Sequence, residues 1–333
     1  MKAFMIDKYG KADVVRLADM PEPVLQDDDV LVEIHAASIN PLDLKIRSGE
    51  FKLLLPYRLP LIMGNDCSGV VVRVGARVKR FKVGDEVYAR PHQDRIGTFA
   101  ERIAIKDDAL AFKPKTLSMD EAASIPLVGL TAWQALVEKG QLKKGQKVLI
   151  HAGSGGVGTF AIQLAKHLGA TVATTASASN ADMLKRLGAD IVIDYKKEDF
   201  ATALKDYDLV LDTQGGETLK KSIGVLKPGG KVIGIAGPPD ADFAEASGAA
   251  WFFKLIFGLL SYSVRSAAKR REASYSFLFM RANGDQLGKI AALIDAGVIR
   301  PVIDRVVPFA ETKEALAYVD AGRTKGKVVI KMK

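Results

Sequence analysis

Cysteine is almost missing from this chain: Cys67 stands alone among 333 residues. A lone thiol closes no intrachain disulfide, which points to a reducing compartment, and it excludes a four-thiolate structural zinc. Histidine is scarce too, restricted to His35, His92, His151 and His167. A catalytic zinc takes three ligands from Cys, His, Asp and Glu, and no Cys–His–Cys set can be assembled here. His151 and His167 fall in an expected strand and helix, and His35 follows an apolar strand with no cysteine near it. No metal site is expected. The longest apolar stretch, residues 249–264, contains Lys254 and is short for a bilayer span. Met1 to Asp7 form neither an apolar signal core nor an Arg-rich leader. The expectation is a cytoplasmic protein without a membrane span.

What is present is the balance of a globular protein. Hydrophobic residues at 48% and charged residues at 26% exclude a disordered or collagen-like chain. At roughly 150 residues per domain the length suggests about two domains. The net charge of +9 suits nucleic acid, an anionic membrane surface or a phosphorylated small molecule, and does not choose among them.

Residues up to about position 110 read as β structure: Val30-Leu31-Val32-Glu33-Ile34, Gly69 to Val74 and Glu86 to Ala89 are short β-branched runs between Gly, Pro and Asp turns. Pro41 to Ser48 has a helical period. After Pro114 the pattern changes. Ser118 starts a helix, Thr131 to Lys139 forms another, and strands then alternate with helices: Lys147 to His151, Gly156 to Leu168, Thr171 to Thr175, Ala181 to Leu187 and Asp190 to Ile193. Such alternation means βαβ units and a parallel sheet. In the tail, Phe252 to Arg271 reads as one apolar-then-basic helix. Strands follow at Tyr275 to Phe279, Val302 to Val307 and Lys327 to Lys331, with helices at Gln286 to Ala296 and Glu311 to Ala321.

The strongest local signal joins the strand Val148-Leu149-Ile150 to a helix through Gly153, Gly155, Gly156 and Gly158. The spacing is G-x-G-x-x-G. It lets backbone N–H groups at a helix N-terminus approach a pyrophosphate, and lets helix and strand pack closely. An NAD site places an acid at the end of the following strand, about 20 residues on, for the ribose hydroxyl. Here that stretch carries Ser177, Ser179 and Asn180 and no acid before Asp182. A 2′-phosphate meets hydrogen-bond donors there without repulsion, so NADPH is the expected cofactor.

Without a metal, activated acceptors such as quinones and carbonyl-conjugated alkenes need the least help, since hydride transfer is mainly the cofactor's chemistry.

Ala37-Ser38-Ile39-Asn40-Pro41-Leu42-Asp43, Met63-Gly64-Asn65-Asp66-Cys67-Ser68-Gly69, Val83-Gly84-Asp85-Glu86-Val87-Tyr88, Gly97-Thr98-Phe99-Ala100-Glu101, Leu130-Thr131-Ala132-Trp133, the Gly-rich turn, Asp194-Tyr195, Lys227-Pro228-Gly229-Gly230 and Gly326-Lys327-Val328-Val329 occur in that order. In them the chain resembles the medium-chain dehydrogenase/reductase superfamily, in its zinc-independent quinone oxidoreductase and alkenal/enone reductase branch. Zinc-dependent relatives carry cysteine near Ser38 and Gly-His-Glu where Gly64-Asn65-Asp66 stands. The resemblance implies an α/β chain: a Rossmann doubly wound parallel sheet, residues 125–272, inserted in a GroES-like β-barrel catalytic domain, residues 1–124 and 273–333. It implies an active site in the cleft between them and a homodimer.

Carried over by position, the resemblance puts Asn40 and Asp43 beside the nicotinamide and Thr131 at the nicotinamide end. Gly155, Gly156 and Val157 face the pyrophosphate. Ser177, Asn180 and Tyr195 surround the adenosine 2′-phosphate, and Lys327 lies near the cofactor or the cleft. Many relatives have lysine where Asn180 stands. The expected activity is NADPH-dependent hydride transfer to a small quinone or to the β-carbon of an α,β-unsaturated aldehyde or ketone. Asn40 or a cofactor hydroxyl would hold the substrate oxygen, and water or Tyr57 would give the proton. The apolar half of Trp251 to Arg271 is expected as a hydrophobic wall at the cleft rim, with core or subunit interface as the alternative; an interfacial membrane helix is not expected, since it would carry its basic residues along one side rather than at one end. A second reading of the same fold, a non-enzymatic NADPH-sensing or RNA-binding protein, rests on the +9 charge and on Arg265, Lys269, Arg270 and Arg271; nucleic acid is otherwise not an expected partner.

Overall fold

Short runs of Val, Ile and Ala build both halves of the protein, in two different ways. A computed structural model describes residues 1–333 apart from Leu53, Leu54, Gly248 and Ala249. The chain divides into two compact units, residues 1–130 with 281–333, and residues 131–280.

In the first unit the chain forms β1 (Lys2–Ile6), β2 (Val15–Asp19), β3 (Asp29–Ile39), α1 (Pro41–Ser48), β4 (Leu61–Ile62), β5 (Asp66–Val74) and β6 (Glu86–Ala89). Then come β7 (Arg102–Lys106), β8 (Leu110–Phe112), α2 (Met119–Ala123) and α3 (Pro126–Trp133), in which the boundary falls.

The second unit runs β9 (Lys147–Ile150), α4 (Gly156–His167), β10 (Thr171–Ala176), α5 (Ala181–Arg186), β11 (Ile191–Asp194), α6 (Phe200–Ala203) and β12 (Tyr207–Asp212). It continues with α7 (Gly216–Gly224), β13 (Leu226–Gly234), α8 (Ala241–Ala246), α9 (Trp251–Leu260), α10 (Tyr262–Lys269) and β14 (Ser274–Phe277). The chain then returns to the first unit as α11 (Gly284–Asp295), β15 (Ile303–Pro308), α12 (Thr312–Asp320) and β16 (Lys327–Lys331).

The first unit is a barrel-like arrangement. A seven-stranded sheet runs β15-β16-β3-β5-β6-β8, with β7 also on β3, and β2-β1-β4 forms a smaller sheet. Val32, Ile34, Val71, Val87 and Ile105 pack inside it as one cluster, and Phe4, Ile39, Met63, Phe99 and Leu316 as another. The long strand β3 pairs with β5, β7 and β16, which is why residues at its C-terminal end meet side chains from distant parts of the chain.

The second unit is a six-stranded parallel sheet in the order β11-β10-β9-β12-β13-β14. Counted from β9, that is the 3-2-1-4-5-6 order of a doubly wound dinucleotide-binding sheet, which reverses direction beside its first strand. Val148, Leu149 and Ile150 are all fully buried, the unbroken apolar run that a parallel strand covered on both faces requires.

The units part at 130/131 and 280/281 rather than at the expected 124/125 and 272/273. The physical reason at the second boundary is β14, which adds to the parallel sheet beside β13 instead of returning to the first unit. The single helix expected from Phe252 to Arg271 is two, α9 and α10, separated at Ser261. Much of α9 faces solvent: Trp251 is 76% exposed and Leu259 77%. That face is not core.

Candidate functional site

In the first unit the candidate site grows from the end of β3. Asn40 leaves the strand in an extended conformation and Pro41 opens α1, a position where a missing N–H costs nothing. Asp43, in the first turn, accepts the Asn40 backbone N–H at 2.7 Å. Its other oxygen accepts from Asn65 Nδ2 at 2.7 Å. This satisfies Asp43 without a cation in contact, and burial raises its carboxyl to about 6, the two hydrogen bonds opposing.

Asp66 is the centre of the cluster. Its Oδ2 accepts from Ser38 Oγ at 3.0 Å and from Asn40 Nδ2 at 2.9 Å, and its Oδ1 accepts the Leu127 N–H at 2.8 Å. The Lys327 ammonium stands 3.3 Å from Oδ2. Lys327 Nζ also donates to Ile39 O at 2.9 Å and to Asn40 Oδ1. Burial pulls its pKa down, and Asp66 and Asp43 push it back up. Thus Lys327, expected near the cofactor or the cleft, has its donors committed to Ile39, Asn40 and Asp66. Asn40 is likewise bound at both ends of its amide, Nδ2 by Asp66 and Oδ1 by Lys327. Its geometry is that of a positioning residue.

The uncommitted donors lie close by. Continuing the Cys67↔Ala89 register of β5 and β6 places Arg90 across from Asp66. Arg90 is fully buried; Nη1 donates to Pro91 O at 2.8 Å, while Nε and Nη2 have no partner among the described residues. The Tyr57 hydroxyl, Thr98 Oγ1 and Asn65 Oδ1 are also buried without a partner. A Cβ on Gly64 would lie 2.4 Å from Thr98 Oγ1, which sets Thr98 against the Gly64-Asn65 turn. Burial pushes the Tyr57 phenol up, and the Arg90 charge is the largest influence drawing it back. Burial likewise lowers Arg90, against Tyr57, Asp66, Asp43 and Asp94.

In the nucleotide unit the Gly-rich turn follows β9 at the point where the strand order reverses. A Cβ on Gly153 would stand 2.1 Å from Thr174 Oγ1, and one on Gly158 would stand 2.5 Å from Ala152 O. These two glycines serve close packing of α4 on the sheet. Gly155 differs: its Cβ would meet Ala152 O at 3.4 Å and nothing nearer. It caps α4 without a side-chain acceptor. The first-turn N–H groups of Gly156, Val157 and Gly158 are therefore uncapped, the cradle a pyrophosphate needs.

At the end of β10, Asn180 Nδ2 donates to Ser177 Oγ at 3.1 Å, and Ser177 Oγ lies 3.1 Å from Ser179 Oγ. Tyr195 follows β11 beside Ala176, its N–H on Ala176 O at 3.4 Å, and the residue is 61% exposed. Ser177, Ser179, Asn180 and Tyr195 thus come together at one sheet end. Thr131 is buried on α3. The residues fit a dinucleotide, and the turn after β10 is small, polar, uncharged and free of carboxylates.

The residues do not fit zinc. His151 is buried with its ring nitrogens on Thr175 Oγ1 and Ser222 Oγ, and burial lowers it to about 4. His92 meets Asp108, and His35 lies near Glu33. Cys67 is in the barrel core with its thiol pushed up by burial. Among the described residues no three His, Cys, Asp or Glu side chains gather as a metal site.

The sequence alone does not mark Asn65, Asp66, Ser38 and Arg90 as site residues. Ser38, Asn65 and Asp66 lie in motifs of the superfamily at positions where zinc-dependent relatives carry ligands; Arg90 gives no signal, lying next to a charged loop.

Comparison with known proteins finds two family matches, one inside the first unit and one that spans most of the second unit and the C-terminal return to the first. Residues 26–115 match the family described as alcohol dehydrogenase GroES-like domain, and residues 187–330 match zinc-binding dehydrogenase. The mitochondrial NAD(P)H oxidoreductase RTN4IP1 of Danio rerio is 37% identical, with 99% of this chain and 91% of the relative covered. The 2-methylene-furan-3-one reductase of Solanum lycopersicum is 38% identical over 99% of this chain and 79% of its own. The quinone oxidoreductase of Coxiella burnetii superposes with a TM-score of 0.88 at 34% identity, covering 100% of this chain and 99% of that one. With the sheet order, the uncapped Gly-rich turn and the buried Asn40–Asp66–Lys327 cluster, these matches show that the chain belongs to the medium-chain dehydrogenase/reductase superfamily of oxidoreductases, among its quinone oxidoreductases and enone reductases.

Proposed function

We propose that this oxidoreductase uses NADPH to reduce quinones or α,β-unsaturated carbonyls, and that it does so without zinc. The observation that carries the reading is the donor set of the catalytic unit: buried Tyr57 and Arg90 donors with no protein partner, where no metal-ligating trio is found among the described residues. Such donors suit an acceptor already activated by conjugation, whose oxygen gains charge during reduction.

Bound NADPH supplies the hydride, from C4 of its nicotinamide. The uncapped N–H groups of Gly156, Val157 and Gly158 bind its pyrophosphate, and Gly155 leaves room for it. Ser177, Ser179 and Asn180 donate to the 2′-phosphate, Tyr195 packs at the adenosine, and Thr131 orients the nicotinamide end. Tyr57 donates a hydrogen bond to the substrate oxygen, made a stronger donor by the Arg90 charge. Asn40 and Asp43 shape the site, with Lys327 and Asp66 holding Asn40. The proton that completes the reduction comes from water or from Tyr57. The single buried Cys67 suits a reducing compartment, and a cytoplasmic homodimer belongs to the same proposal.

An NADPH-consumption assay against a panel of quinones and enones, run with and without a chelator, tests this reading. Turnover that survives chelation supports it. Tight NADPH binding without turnover of any acceptor would favour a sensing protein, and one zinc per chain lost together with activity would remove the zinc-free mechanism.

A further inference from the structure

Helix α9 is built inside out. Residues 251, 252, 255, 256, 259 and 260 recur at i, i+1, i+4, i+5, i+8 and i+9, which gathers them on one face of an α-helix. All six are apolar and all six are exposed. On the opposite side Phe257 is buried and lies 6.0 Å from Phe243 of α8, ring centre to ring centre. Lys254 lies off the apolar face, in an ion pair with Glu245. The outward face thus carries about 15 Å of uncharged surface, by the rise of a ten-residue helix.

Past Ser261 the character inverts. Tyr262 is exposed at the junction, and Arg265, Lys269, Arg270 and Arg271 follow, all exposed. None of these four forms an ion pair among the described residues; Arg270 and Arg271 donate to Ser266 Oγ and Gly224 O instead. From residue 251 to residue 273 the sequence has Glu272 as its single acid.

We propose that this surface docks on an anionic phospholipid bilayer, with the apolar face of α9 seated at the headgroup–acyl boundary and the cations of α10 on lipid phosphates. Trp251 and Tyr262 stand at the two ends of the apolar face, where amphipathic rings favour the membrane interface. No helix among the described residues is long and apolar enough to cross a membrane, so the contact is peripheral. Charge decides against a second copy of the chain. A two-fold contact through α9 sets the same patch against itself and offers the unpaired cations no acidic partner, whereas anionic lipid neutralises them. The proposal goes beyond the redox reading and needs no acceptor for its test.

The test is co-sedimentation of the full chain with phosphatidylcholine vesicles and with vesicles that also contain phosphatidylglycerol. Binding to the anionic vesicles at least about tenfold above the neutral ones, weakened by salt, is expected for several juxtamembrane cations. The exposed substitutions Leu255→Asp and Leu259→Asp together should lower that binding about tenfold or more, as expected when apolar surface is removed from an interfacial helix. Melting temperature and NADPH affinity should not change. Arg265→Glu with Lys269→Glu should abolish the preference for anionic lipid. Absence of binding to anionic vesicles overturns the proposal, as does binding that the two aspartates leave intact. Vesicle binding absent while the aspartates convert a dimer to monomers in analytical ultracentrifugation assigns the face to a second copy.

Discussion

Replacing Lys327 by methionine keeps most of the side-chain volume and removes a cation that is 5% exposed. Ile39 O and Asn40 Oδ1 lose their donor, and Asp66 loses its ammonium at 3.3 Å while keeping Ser38, Asn40 and the Leu127 N–H. An uncompensated buried charge typically costs roughly 3–5 kcal/mol, and the three remaining hydrogen bonds on Asp66 argue for the middle of that range, about 4 kcal/mol. The companion change Asp66→Asn removes the stranded charge. In the double variant the loss should therefore be at least about 2 kcal/mol smaller than the sum of the single losses, the mark of coupled neighbours. Urea unfolding followed by circular dichroism, with hydrogen exchange of the β3 and β16 amides, measures both quantities. The same variant separates two roles for Lys327: with Asn40 displaced, kcat should fall while the NADPH dissociation constant stays within about twofold, less than 0.5 kcal/mol. Additive stability losses, or a tenfold weaker NADPH complex with kcat preserved (about 1.4 kcal/mol), would refute the reasoning.

Asp43 holds its proton more tightly in the folded protein, with a pKa near 6 against 3.8, so between about pH 4 and 6 the folded state binds more protons and stability falls as pH rises. The shift corresponds to about 3 kcal/mol at neutral pH, roughly half of it relieved by pH 5; a ¹³C titration of the Asp43 carboxyl with a midpoint below 4.5 would contradict it. NADPH should bind at least about tenfold more tightly than NADH, roughly 1.4 kcal/mol, and Ser177→Asp should reverse the order; equal affinities in the unaltered protein, read by calorimetry, count against the assignment. Gly158→Ala, which places a Cβ 2.5 Å from Ala152 O, should lower the melting temperature, whereas Gly155→Val should leave it and weaken NADPH binding; the opposite pattern would reverse their roles.

The nucleotide unit was the more legible half. Its strand β9 carries the unbroken apolar run Val148-Leu149-Ile150 into the Gly-rich turn, and strands alternate with helices after it, so βαβ units, that turn and the acid-free end of β10 show in local sequence. The catalytic cluster does not show that way. Asp66, Asn40 and Lys327 are joined by pairings of β3 with β5 and β16, and nothing local to Gly326-Lys327 tells a cofactor ligand from a lysine bound to Asn40. Arg90 follows Ala89 into Pro91-His92-Gln93-Asp94, a stretch that reads as solvated loop, yet the β5–β6 register draws it inside. The apolar run after Trp251 reads as something to be covered; only the fold shows that Phe253 and Phe257 satisfy its inner face and leave the outer one open.

Deuterium transfer tests the central claim most directly. With NADPH carrying deuterium at C4 on the transferred face, and an α,β-unsaturated ketone in single turnover on chelator-treated protein, mass spectrometry and NMR should find one deuterium on the β-carbon of the saturated product for each NADP⁺ formed. Recovery of unreacted, tightly bound NADPH, or deuterium on the carbonyl carbon of an allylic alcohol, would contradict metal-free conjugate reduction.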